Sequence, residues 1–288
     1  MTCRIIPRLD IKGPNLVKGI NLEGLRTLGK PELFARQYYE QGADELIYMD
    51  IVASLYERNS LTDLISRTAK QIFIPLTVGG GLRTLDDIKA VLEAGADKVA
   101  INTAAVRNPD FIKLAAQRFG SSTIVVSIEA IKKNNGSYEA FTDNGREETG
   151  LDVFEWAEKA VCLGAGELLI TSVDREGTGL GFDLDLVKKM SESVSIPVIA
   201  LGGAGSMKHV LEAIEKGKAD AVSIASLLHY DCIKNNDMMG KDYSEEGNID
   251  YLRSGKVSGR IQHVSLLELK RFLAEAGISC RQLKAVAS

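Results

Sequence analysis

Eight short, almost uninterrupted apolar runs, separated by amphipathic stretches, constrain the fold of this chain more than any other feature. The runs fall at 4–9, 45–49, 74–78, 98–101, 123–128, 167–171, 198–200 and 221–224. Runs that are apolar on both faces belong to strands covered on both sides in a parallel sheet. The stretches 31–41, 85–94, 109–119, 152–163 and 207–216 carry helical periodicity. Pro31 and Pro109 suit a first helical turn and Asp152 suits an N-cap. Gly42, Gly95, Gly120, Gly164 and Gly217 sit where helices should stop. Eight strands with helical crossovers predict an α/β fold, a single (β/α)8 TIM barrel domain over residues 1–288.

The chain also repeats itself. Ile74-Pro75-Leu76-Thr77-Val78-Gly79-Gly80-Gly81 recurs as Ile196-Pro197-Val198-Ile199-Ala200-Leu201-Gly202-Gly203, and Gly42-Ala43-Asp44-Glu45-Leu46 as Gly164-Ala165-Gly166-Glu167-Leu168, at one common offset. Ala96-Asp97 with Ile101-Asn102-Thr103 recurs as Ala219-Asp220 with Ile224-Ala225-Ser226 after one extra residue. Strands two to four therefore echo strands six to eight, and the barrel reads as two similar half-barrels.

Gly79-Gly80-Gly81 and Gly202-Gly203-Ala204-Gly205 each follow a strand and precede a helix. Glycines there let backbone amides approach an anion, and a helix N-terminus adds positive potential. Asn102-Thr103 and Ala225-Ser226, at the ends of the next strands, supply further donors. Two such cradles predict an elongated substrate with a phosphate at each end. Asp10 and Glu129 close the first and fifth strands, on opposite sides of the barrel mouth, as general acid and base work requires. Asp50, Asp174 and Glu176 stand at other strand ends, where such acids either enter the site or cap the next helix. Lys18, in the first loop, either reaches over the mouth or is solvated.

The net charge of −4 gives no general attraction to nucleic acid or to an anionic membrane. The four cysteines and three histidines have no metal-ligand spacing, so neither a structural zinc site nor a disulfide framework is expected. With no long apolar run and no leader pattern at the first residues, a cytoplasmic protein is expected.

Asp10-Ile11-Lys12, Leu16-Val17-Lys18-Gly19, Gly42-Ala43-Asp44-Glu45-Leu46, Leu76-Thr77-Val78-Gly79-Gly80-Gly81, Gly95-Ala96-Asp97-Lys98-Val99, Asn102-Thr103-Ala104-Ala105 and Ile199-Ala200-Leu201-Gly202-Gly203-Ala204-Gly205 resemble the cyclase subunit of imidazole glycerol phosphate synthase. The resemblance spans residues 4–230 and resumes at 266–281. It implies a barrel that takes ammonia from a glutaminase partner in a heterodimer and joins it to a bisphosphorylated formimino carboxamide ribotide. The products would be imidazole glycerol phosphate, for histidine biosynthesis, and an aminoimidazole carboxamide ribotide, with no metal or redox cofactor needed.

By the same resemblance Asp10, Glu129 and Lys18 would be catalytic, and Gly80, Gly81, Asn102, Thr103, Gly177, Gly202, Gly203 and Ser226 would hold the phosphates. Asp50, Asp174, Glu176 and Thr178 would line the rest of the pocket. Arg4, Glu45, Lys98 and Glu167 would form an ammonia gate at the other end of the barrel, with Asp97 facing the glutaminase. A salt-bridged plug is compatible with the same four residues.

The chain departs from that family in four side chains. Glu129 and Glu176 replace aspartates, Arg8 replaces a cysteine beside Asp10, and Leu201 replaces a serine before the second glycine loop. One extra methylene moves a carboxylate by roughly 1.5 Å, enough to cost about a hundredfold in rate where geometry is strict. An insertion at 231–264, rich in Asn, Gly, Asp, Glu and Lys, reads as a lid, a docking surface or a surface loop. These departures point to an alternative, a paralogue that passes ammonia to a third protein, an amidotransferase making acetamidino sugars for surface polysaccharide. A further alternative is a non-catalytic barrel that activates the glutaminase.

Overall fold

The computed structural model describes residues 2–51, 61–235 and 260–281. Eight parallel strands close on themselves. They are β1 (Arg4–Lys12), β4 (Leu46–Asp50), β5 (Leu76–Gly79), β6 (Lys98–Ile101), β7 (Ile124–Lys132), β10 (Glu167–Ser172), β11 (Val198–Leu201) and β12 (Ala221–Ile224). Each pairs with its neighbours in that order. The ring is sealed by β7 with β10, Thr171 opposite Glu129, and by β12 with β1, Arg4 opposite Ala221. The expected barrel is the one observed.

Strand alternation separates two apolar clusters. Ile5, Leu9 and Ile11 of β1 face the surrounding helices, where they join the main core with Phe34, Tyr38 and Leu273. Ile6, Ile47, Val125, Leu169, Ile199 and Leu201 form a second cluster inside the barrel. Along β1 the same inward register carries Arg4, Ile6, Arg8 and Asp10, charged at both ends and apolar between.

The helices that cover the barrel start where the sequence signals them. Pro31 opens α1 (Pro31–Glu40), and Asp152 caps α6 (Val153–Cys162) by accepting from the Phe154 and Glu155 amides at 2.8 and 3.2 Å. Thr84 and Asp87 form a reciprocal capping box at α3 (Leu85–Glu93), and Ser206 caps α8 (Met207–Glu215). Gly42, Gly95, Gly120 and Gly164 are left-handed at helix ends as expected, but after α8 the left-handed residue is Lys218, φ 57°, and not Gly217.

Two antiparallel hairpins follow the first and fifth barrel strands, the first of them in place of the expected loop. β1 runs into β2 (Asn15–Ile20) and β3 (Glu23–Gly29), and β7 runs into β8 (Tyr138–Thr142) and β9 (Glu147–Asp152). Lys18 therefore lies on a strand, not in a loop. Each hairpin extends the first strand of one half-barrel, so the internal repeat reaches further than the sequence matches. The expected insertion falls mainly on residues 236–259, outside the described residues. Its described ends finish α9 (Ser226–Asn235) and return through Ile261, which is buried, with the Gln262 amide donating to the Gly205 carbonyl at 2.8 Å.

Candidate active site

At the N-terminal ends of the strands four charges form a closed ring. Arg4 Nη1 donates to Glu45 Oε1 at 2.6 Å and to Glu167 Oε1 at 2.9 Å. Lys98 Nζ donates to Glu45 at 3.2 Å and to Glu167 at 3.1 Å. Two cations and two carboxylates thus balance across the barrel floor. Arg4→Met leaves two partly buried glutamates short of a partner and is expected to destabilise the fold by roughly 1–3 kcal/mol, between exposed and fully buried pairs. Urea unfolding measures it, with Arg4→Lys as the recovering variant. Asp97, exposed on the same end, accepts from the Leu76 amide at 2.9 Å, so its carboxylate is already tied to the backbone. Beside it Phe73 is exposed, and both line one shallow groove.

The C-terminal mouth holds a second set of charges, and these are buried. Arg8 Nε donates to Asp10 Oδ1 at 2.7 Å, and Lys18 Nζ lies 3.7 Å from Asp10 Oδ2 while pairing with Glu176. The solvated-lysine alternative for Lys18 is excluded by its burial. The hairpin brings it there: Val17 pairs with Asp10 across β1 and β2, and the Asn21 amide donates to the Glu176 carbonyl at 2.8 Å. Glu129 stands on β7, its Oε2 accepting from the Gly145 amide at 2.8 Å.

The two acids expected at opposite strand ends differ in protonation, and the cause is local. Burial alone would raise the Asp10 carboxyl, but Arg8 and Lys18 outweigh it and hold Asp10 below its ordinary value. Burial pushes Glu129 up to about 7, against the lowering by the Gly145 amide and the more distant Arg8. Asp10 is thus held as a carboxylate, whereas Glu129 keeps its proton up to about pH 7; acid–base chemistry needs such a separation.

Next to Glu129 opens a cavity of about 270 Å³, lined by Gly80, Gly81, Asn102, Thr103 and Arg107. Gly80 has φ 97°, and a Cβ there would lie 2.1 Å from the Asp50 carbonyl oxygen. Gly80→Ala is expected to cost at least about 1–3 kcal/mol from backbone strain alone and to weaken inorganic phosphate binding. Thermal melting with and without phosphate reads both. Asn102 Nδ2 donates to the Phe141 carbonyl at 3.2 Å, and Thr103 Oγ1 accepts from the Asp143 amide at 3.2 Å, so the β8–β9 hairpin braces this cradle. Arg107, one helical turn beyond Thr103 and 3.1 Å from Asp143, was missed in the sequence. Its position four residues after Thr103 on α4 (Thr103–Arg107) is the signal that could have found it.

The second cradle gathers Gly177, Gly202, Gly203 and Ser226 with Glu176 around a narrow recess of about 10 Å³. Asp50 is buried and lines the first cavity. Asp174 does not join either site: it is exposed and accepts from the Lys132 amide at 2.8 Å, securing the end of β7. Thr178 Oγ1 donates to the Arg175 carbonyl at 2.7 Å within its own turn and lines neither cavity. No group of three or more potential metal ligands occurs among the described residues, and no described helix is long and apolar enough to cross a membrane.

Residues 4–234 match the family model described as histidine biosynthesis protein. The imidazole glycerol phosphate synthase subunit HisF of Legionella pneumophila is 60% identical over 205 residues, 71% of this chain and 97% of that relative. A barrel with paired glycine cradles, matched by that family over most of its length and by such a relative at such identity, belongs to the histidine biosynthesis protein family.

Proposed function

We propose that this chain is the cyclase subunit of an imidazole glycerol phosphate synthase, a lyase that adds ammonia to a bisphosphorylated formimino carboxamide ribotide. The observation that carries the reading is the placement of Asp10 and Glu129 at one barrel mouth beside a glycine cradle, in environments that push the two acids apart. Ammonia adds to the ketone of the substrate and water leaves. The same nitrogen then closes on the formamidine carbon, and the C–N bond to the aminoimidazole carboxamide ribotide breaks. Asp10 accepts protons from the attacking nitrogen, and Glu129 supplies one to the departing amine. Lys18 pairs with Glu176 and lies beside Asp10, which Arg8 also balances. The two cradles take the two phosphates through backbone amides.

A glutaminase partner docks on the opposite end, over the ring of Arg4, Glu45, Lys98 and Glu167, with Asp97 at the contact. Ammonia crosses the ring and the apolar layer of Ile6, Ile47, Val125 and Leu169 as the neutral molecule.

The test is turnover of the bisphosphate ribotide by the purified chain from neutral to alkaline pH, with a concentrated ammonium salt in place of the glutaminase and the rate expressed per free ammonia. Appearance of imidazole glycerol phosphate supports the reading. The lengthened acids Glu129 and Glu176 support a second reading, in which barrel and glutaminase pass ammonia to an amidotransferase. No turnover, with the ribotide still raising the melting temperature, supports that one.

A further inference from the structure

Arg8 is an unusual residue for its place. It sits on the inward register of β1, between Ile6 of the apolar interior and Asp10 of the mouth, with a side chain only 4% exposed. Its Nε donates to Asp10 Oδ1 at 2.7 Å, shorter than the 3.7 Å approach of Lys18 to the other oxygen. Lys18 is itself engaged by Glu176, so Arg8 is the principal partner of Asp10. Arg8, Lys18, Asp10 and Glu176 balance in charge. A third ionised carboxylate, at half-buried Glu129, would leave the cluster one negative charge in excess.

We infer that Arg8 is a positioning residue whose guanidinium, acting from inside the barrel, holds Asp10 as a carboxylate. The guanidinium touches Asp10 directly, while Glu129 Oε2 is held by the Gly145 amide. The groups facing Asp10 are Arg8 on its own strand, Lys18 on β2, Glu176 after β10, Glu129 on β7 and His229 on α9. His229 adds no charge at neutral pH, since burial, with Lys18 nearby, pushes it down to about 3, and Tyr38 holds its Nδ1 at 2.6 Å. Arg8 and Lys18 are thus the fixed cations at this carboxylate.

The role in turnover rests on the cyclase reading; the effect on Asp10 does not. Carboxyl carbon NMR of the ligand-free full chain, with Asp10 assigned from the missing signal in Asp10→Asn, gives its titration midpoint directly. In Arg8→Met that midpoint is expected to rise by at least about one pH unit, a tenfold change in proton affinity. Arg8→Lys returns most of the shift, and the acid limb of kcat with ammonium salt moves by the same amount in each variant. Should Arg8→Met not fold, Arg8→Gln removes the charge and keeps a donor, with the same direction expected. An unmoved Asp10 midpoint, or a kcat limb that stays in place while the midpoint moves, overturns the inference. A wild-type chain without turnover overturns the cyclase reading alone, and the NMR midpoint still decides whether Arg8 sets the charge of Asp10.

Discussion

Asp10→Asn is expected to lower cyclase turnover by roughly 10²–10⁴-fold, the size of a lost general base. The amide keeps the shape of the side chain and can still accept from Arg8 Nε, the contact now made at 2.7 Å. It cannot accept a proton from the attacking nitrogen. The loss falls on kcat, since both glycine cradles lie on other strands and keep their geometry. Single-turnover kinetics with ammonium salt, run beside ligand-induced stabilisation, separates the two. Retained stabilisation with lost turnover is the expected pair of results; near wild-type turnover removes Asp10 from the chemistry.

Glu129→Gln is expected to have an effect of similar size, with a pH signature of its own. Glu129 titrates at about 7, so it is protonated below that pH and ionised above it. With the rate expressed per free ammonia, the wild type should therefore decline above pH 7, and Glu129→Gln should lose that limb along with roughly 10²–10⁴-fold in rate. The stability linkage has the same origin. Because the folded-state value is raised, the contribution of protonated Glu129 is complete below its ordinary pKa and is lost as pH rises through about 7. Asp10, lowered in the fold, contributes above its ordinary pKa and loses that contribution as pH falls. Urea unfolding of wild type and Glu129→Gln between pH 5 and 8 checks this: only the wild type should lose stability over that range from this group.

Some of the site was legible because it rests on backbone. Gly80 and Gly203 must adopt φ 97° and 104°, and a chain that needs those angles at two strand ends has to spell glycine there. The two hairpins were harder to see. Asn144-Gly145 is a turn signal in the second hairpin, but the first turns on Asn21 and Leu22, both at positive φ without glycine. Tertiary contact decides that turn: Asn144 Nδ2 donates to the Leu22 carbonyl at 3.2 Å. With the first hairpin unseen, Lys18 read as a loop residue, although its strand carries it to Glu176 across a sequence separation of 158.

What the sequence by itself determined is the barrel, its twofold internal echo, the glycine loops and the strand-end positions of Asp10 and Glu129. Each follows from a local rule of period, backbone angle or strand-end position, repeated often enough to leave one architecture standing. Only the tertiary structure decided which acid keeps its proton, that Arg8 belongs to Asp10, that Asp174 serves the backbone of Lys132, and that Arg107 joins the first cradle. Those outcomes depend on distance and on the exclusion of water between residues far apart in the chain, and electrostatic energy is set by both.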